Sequence, residues 1–233
     1  MIIRNRGFLP HYEKEQATYF VTFRLAGSLP ATVLNAWQCE RDEIIRNIQL
    51  RKKKISSYEK RRLDYLYLER VEKYLDSGKG ECWLSNHQVA KIVSDALQYF
   101  DGERYVIYSW CIMPNHIHVL FSPRRWREQS HLDSLLIPIL HSWKSFTALK
   151  ANQILKRKGK FWQEEYFDTM VKSDKQFAFY VRYILENPVT AKLCQKWTDW
   201  PWSGCHPLIR EMLNDETGGL EARAPTSGQV DQL

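Results

Sequence analysis

An α+β fold, with a mainly antiparallel sheet and helices packed on one face, is what this chain predicts, and three observations predict it. Runs rich in aromatic and β-branched residues at 18–25, 105–113 and 116–122 read as strands, and the last two are joined by a link so short that they pair as an antiparallel hairpin. Apolar residues at helical spacing mark helices at about 63–75, 85–100, 131–155 and 173–186. The resulting order (strand, helices, strand, strand, helix, strand, helix) is that of a split βαβ or ferredoxin-like plan.

Each element has its own signal. The first strand, Thr18 to Leu25, is stopped by Gly27-Ser28-Leu29-Pro30. A polar, helical stretch follows, in which Leu63, Leu66, Tyr67, Val71, Tyr74 and Leu75 share a face and Gly78 lies past the end. Ser85 with Gln88 three residues on predicts a capping box, ahead of the stripe Val89, Ile92, Val93, Ala96, Leu97 and Phe100. The Pro114-Asn115 step turns the chain between the hairpin strands. Leu132, Leu135, Leu136, Ile139, Leu140, Trp143, Phe146 and Leu149 face a core along the long helix that Gly159 ends. A short strand with a loop is expected over Phe161–Val171. Ser173 and Gln176 cap the last helix, whose stripe is Phe177, Tyr180, Val181, Ile184 and Leu185, and which should stop before Asn187-Pro188.

The 233 residues suit one domain, expected over 1–207 with a helical elaboration at about 28–83, followed by a disordered tail over 208–233. No run of about 18 apolar residues is present, so no membrane span is expected. The opening Met1–Arg6 lacks the apolar stretch of a signal peptide, and five dispersed cysteines suit the reduced thiols of a cytoplasmic protein. A net charge of +7 favours a polyanion, most commonly nucleic acid. The positive charge gathers at Arg51–Lys54 with Lys60–Arg62, and at Lys144, Lys150, Lys156–Lys158 and Lys160; solvated helix faces would read the same way. Trp162, Trp197, Trp200 and Trp202 suit either base stacking or core packing, with the core favoured.

Chemistry concentrates in Met113-Pro114-Asn115-His116-Ile117-His118-Val119-Leu120-Phe121. Alternation along a strand sends His116 and His118 to one face and Ile117, Val119 and Phe121 to the other. Two imidazoles side by side begin a divalent-metal site, although a solvated or mutually hydrogen-bonded pair has the same spacing. On the last helix, Tyr183 lies off the apolar stripe and Asn187 follows one turn later on the same flank. Both could address one site; equally, Asn187 could cap the helix and Tyr183 could be a surface residue. A metal-dependent hydrolase using the histidines with Glu164 and Glu165 is a further alternative.

The chain resembles the REP-associated tyrosine transposases, a bacterial branch of the single-tyrosine HUH transposases with an IS200-like domain. The resemblance is carried by residues 113–120, by Phe-Trp-Gln-Glu-Glu-Tyr-Phe-Asp (161–168), by Tyr-Val-Arg-Tyr-Ile-Leu-Glu-Asn-Pro-Val (180–189) and by Asp-Trp-Pro-Trp-Ser (199–203), with 17–25 also fitting. It spans about residues 8 to 206 and is least diagnostic over 28–83. It implies an RRM-like HUH fold, His116 and His118 as ligands of Mg²⁺ or Mn²⁺, Tyr183 as nucleophile and Asn187 as the ligand completing the metal's set. It also implies cleavage and rejoining of single-stranded DNA at palindromic hairpins through a 5′-phosphotyrosine. DNA contacts are then expected from Arg4, Arg6, Lys144, Lys150 and Arg182. The alternatives are a hairpin-binding relative that no longer cuts, and either a monomer or a homodimer with composite sites.

Overall fold

A computed structural model describes residues 2–6, 9–13, 17–51, 56, 58–59, 62–63, 66, 71–124 and 134–217, with backbone alone for 2–6, 9–13 and 215–217. Its centre is a five-stranded antiparallel sheet in the order β6-β3-β5-β4-β7, built from β3 (Tyr19–Leu25), β4 (Tyr105–Ile112), β5 (His116–Pro123), β6 (Trp162–Met170) and β7 (Ser203–Cys205). A separate hairpin, β1 (Ile2–Arg6) with β2 (Leu9–Glu13), precedes it. The helices are α1 (Ala31–Leu50), α2 (Lys73–Asp76), α3 (His87–Gln98), α4 (Leu136–Ile154), α5 (Asp174–Thr190) and α6 (Pro207–Thr217).

Every residue of β3 is buried, because β5 and β6 flank it and both faces of the sheet are covered. On one face Tyr19, Val21, Phe23, Ile117, Val119 and Phe121 meet α3 and α4, as the strand periodicity predicts. The face bearing the histidines is covered as well: Phe20, Leu120, Cys111 and Met113 pack against α5, α6 and residues of the 28–83 segment, among them Trp37, Val71 and Leu75. A bulge in β4 between Ile107 and Ser109 makes this possible. It shifts the alternation, so that Ser109, Cys111 and Met113 turn to the histidine face while Trp110 and Ile112 stay on the other.

Several boundaries differ from expectation for local reasons. Asn86, not Ser85, caps α3, its Oδ1 accepting from the amides of Gln88 and Val89. Ser173 does cap α5, accepting from the Gln176 amide, but the helix runs through Pro188 to Thr190. Residues 208–217, expected to begin the disordered tail, belong to α6, which is anchored by the buried Ile209; 218–233 lie outside the described residues. Trp162 is core, its indole donating to Thr147, and Trp197, Trp200 and Trp202 also pack against the core clusters.

Candidate active site

The two histidines sit side by side on β5 because alternation puts them there. Thr22 of β3 and Cys111 of β4 are the cross-strand neighbours of His118, and Arg24 is that of His116. Both imidazoles are wholly buried, and their orientation is fixed from behind. Asn115 donates both amide hydrogens to backbone carbonyls, to Leu75 at 2.9 Å and Lys79 at 3.4 Å. Its oxygen therefore faces His116 Nδ1 at 2.6 Å, and Nδ1 must carry the proton. On His118, Nδ1 lies 2.9 Å from the Thr22 hydroxyl, which already gives its own proton to Glu72 Oε1 at 2.9 Å. With Glu72 ionised, Thr22 can only accept, and His118 Nδ1 then carries a proton as well.

Both Nε2 atoms are then bare, and they face each other at 2.9 Å. Two lone pairs at that distance repel unless an electrophile sits with them. A second ring proton is disfavoured, because burial holds His116 down to about 3 and His118 well below the usual imidazole value. A cation resolves the conflict, and a third donor is in place. The Asp76 carboxylate lies 3.5 Å from His116 Nε2, and the three donors fall within 4.8 Å of one another. Asp76 Oδ1 and Asn187 Oδ1 are buried without a hydrogen-bond partner, as ligand oxygens would be. Mixed imidazole and oxygen donors suit a divalent ion such as Mn²⁺ or Mg²⁺. Burial pushes Asp76 up to about 7, so a cation would compete there with a proton.

Tyr183 closes the pocket from α5. Its hydroxyl donates to Glu72 Oε2, and its ring meets His118 edge-on, with centroids 5.4 Å apart. Phe20 holds this wall, stacked between Tyr180 at 4.4 Å and His118 at 5.5 Å. Glu72 is 1% exposed, and its carboxyl is pushed up to about 8, chiefly by burial.

The structure thus brings together His116, His118 and Tyr183, with Asn187 buried one turn along α5. Arg182 is exposed beside Tyr183. Lys144 and Lys150 are not brought to the site, since α4 packs on the opposite face of the sheet. Lys144 is tied to the Glu164 carbonyl at 2.7 Å, and burial lowers its ammonium to about 8. Arg4 and Arg6 lie on β1, whose backbone alone is described. Glu164 and Glu165, the acids weighed for a hydrolase, lie on β6, and Glu164 is exposed and 3.4 Å from Lys160. The acids of the site are instead Glu72 and Asp76, from the returning limb of the 28–83 segment. Their spacing of four residues was visible, but the stretch 59–76 holds several other acids and nothing marks these two. Asn115 stood inside the histidine motif but read as a turn residue.

Among known proteins, the family described as Transposase IS200 like matches residues 83–187, which include both histidines, Tyr183 and Asn187 but neither Glu72 nor Asp76. A Haemophilus influenzae protein named as a REP-associated tyrosine transposase is 28% identical over 118 residues. That match covers 47% of this chain, which spans 64% of the relative's length. Two solved structures are weakly similar. A REP-associated tyrosine transposase bound to a REP hairpin aligns with a TM-score of 0.46 and 16% identity, over 93% of this chain and 90% of that one. A transposase from Deinococcus radiodurans aligns with a TM-score of 0.36 and 12% identity, over 79% and 96%. Residues 83–187, which carry both histidines, Tyr183 and Asn187, match the IS200-like transposase family.

Proposed function

We propose that this chain is a metal-dependent single-stranded DNA endonuclease and strand transferase, cutting and rejoining DNA at REP-type hairpins through a 5′-phosphotyrosine at Tyr183. One observation carries the reading: two imidazole lone pairs, a carboxylate and a phenol hydroxyl converge in one buried pocket. His116, His118, Asp76 and Asn187 would hold Mg²⁺ or Mn²⁺, which when bound polarises the scissile phosphate and favours departure of the leaving oxygen. Asp76 changes the expected balance, because a set of two imidazoles and an amide adds no negative charge and this one does.

In the cutting step the Tyr183 oxygen attacks phosphorus as the phenol gives its proton to water, and the departing 3′ oxygen takes one from water to become the 3′-OH. The Tyr183 O–P bond forms, the P–O3′ bond breaks, and its electron pair leaves on the 3′ oxygen. Attack by a 3′-OH reverses the step and joins strands, with no external energy source. The half-buried phenol is hard for a stiff duplex to reach, which favours unpaired substrate. Net charge +7 and the exposed Arg182 suit a phosphate backbone, and the relative's name supplies the palindrome class. Both histidines, Asp76 and Tyr183 come from one chain, which supports action by a monomer over a homodimer with composite sites.

The test is incubation of the chain with labelled single-stranded hairpins from repeats near its gene, in Mn²⁺, in Mg²⁺ and in EDTA. The expected result is a metal-dependent covalent protein–DNA adduct that Tyr183→Phe abolishes. Tight hairpin binding without an adduct would point to a non-cutting relative, and cutting that survives Tyr183→Phe would remove the tyrosine from its role.

A further inference from the structure

Glu72 lies outside the 83–187 family match, yet it touches the proposed nucleophile. It sits at a π-helical turn, Val71–Glu72, just before α2, a departure from regular helix that often marks functional sites. Burying a carboxylate is costly unless donors surround it. Here there are two: the Tyr183 hydroxyl to Oε2, and the Thr22 hydroxyl to Oε1 at 2.9 Å. Thr22 in turn accepts from His118 Nδ1. Tyr183, Glu72, Thr22 and His118 therefore form one unbroken run of hydrogen bonds, drawn from α5, the segment before α2, β3 and β5. A phenol oxygen without a partner swings with its side-chain torsions, and attack on phosphorus demands a fixed line of approach.

Resting on the nuclease reading above, we propose that Glu72 is a positioning residue of the reaction: it fixes the Tyr183 hydroxyl and, through Thr22, ties the nucleophile to the orientation of His118. The property needed is reach, not charge. Glu72→Gln keeps an acceptor oxygen at the same distance, whereas Glu72→Asp keeps the acid and withdraws the oxygen by one methylene.

The experiment compares the full chain with Glu72→Gln and Glu72→Asp, each checked by thermal melting to be folded. Adduct formation on a single-stranded hairpin is timed at saturating DNA with Mn²⁺, alongside the hairpin Kd. A 3-fluorotyrosine placed at position 183 reports the hydroxyl's surroundings by ¹⁹F NMR without DNA. The expected result is a roughly 100-fold slower adduct step in Glu72→Asp, within about tenfold of the unmodified rate in Glu72→Gln, with Kd unchanged in both. The fluorine resonance should move in Glu72→Asp. Equal rates in the two variants, or a resonance that stays put in Glu72→Asp, would overturn the proposal. If the unmodified chain makes no adduct, the nuclease reading falls and takes the positioning role with it, while the resonance still reports whether the contact exists.

Discussion

Asn115 gives both amide hydrogens to the carbonyls of Leu75 and Lys79, so the only group it can offer His116 is its oxygen. One side chain thereby sets an imidazole tautomer and fastens residues 75–79 to the site. Asn115→Ala would leave His116 Nδ1 unpaired and remove the side chain's bonds to the Leu75 and Lys79 carbonyls. Mn²⁺ affinity, measured by titration calorimetry, should fall by about 10–100-fold, the usual cost of losing such outer support. Unchanged affinity would mean that something else orients His116. The histidine pair itself was legible because a period of two is the most reliable pattern a strand writes. The acids were not: Glu72 and Asp76 reach the pocket through contacts between distant parts of the chain, and Tyr183 and Glu72 are 111 residues apart.

At the scale of elements, α5 shows which helix signals decide. Its start was legible, since Ser173 satisfies an amide that would otherwise be orphaned. Its end was not. Pro188 removes the hydrogen bond to the Ile184 carbonyl and still does not stop the helix. Buried Ile184 and Leu185 hold the preceding turn to the sheet, and the carbonyls of Asn187 and Pro188 are taken by the amides of Ala191 and Leu193 at 2.9 and 2.8 Å. Continuing the helix keeps Asn187 on a regular turn, where its side chain is buried. Helix placement also separates the basic residues. Arg182 on α5 lies on the site's side of the sheet, and Lys144 and Lys150 on α4 lie on the other. Arg182→Ala should weaken hairpin binding and lower the slope of log affinity against log salt by about one, while Lys144→Ala and Lys150→Ala leave both unchanged. Fluorescence anisotropy across a salt series measures this; a lysine effect as large as the arginine's would place the DNA elsewhere.

The whole molecule follows the plan its patterning predicts, with strands where β-branched and aromatic runs stand and α3 and α4 against the apolar face. Missing from the pattern was the covering of the histidine face, since the 28–83 segment has a helical stripe but no residue that names its partner. That covering gives the folded state a dependence on pH. In the metal-free chain, Glu72 and Asp76 hold their protons up to about 8 and about 7, whereas unfolding returns them to ordinary carboxylate values. The folded state then binds more protons than the unfolded one, so stability falls as pH rises from about 6.5 to about 8, by on the order of 2 kcal/mol. His116, lowered to about 3, changes its balance mainly below this window. Thermal melts in EDTA should show the decline and added Mn²⁺ should flatten it; a melting temperature that climbs with pH in EDTA would contradict the buried acids.

The 28–83 segment leaves and rejoins the sheet at one narrow neck. The Glu81 amide bonds the Gly27 carbonyl at 3.3 Å, and Gly80, at φ +83°, approaches so closely that a Cβ there would lie 2.8 Å from the carbonyl oxygens of Gly27 and Ser28. With its two ends fastened together, the excursion is a closed loop, and the entropy of closing such a loop grows only slowly with its length. The length of the excursion between its fastened ends thus costs the sheet little. The returning limb is held more tightly, because within ten residues of the neck it delivers both carboxylates.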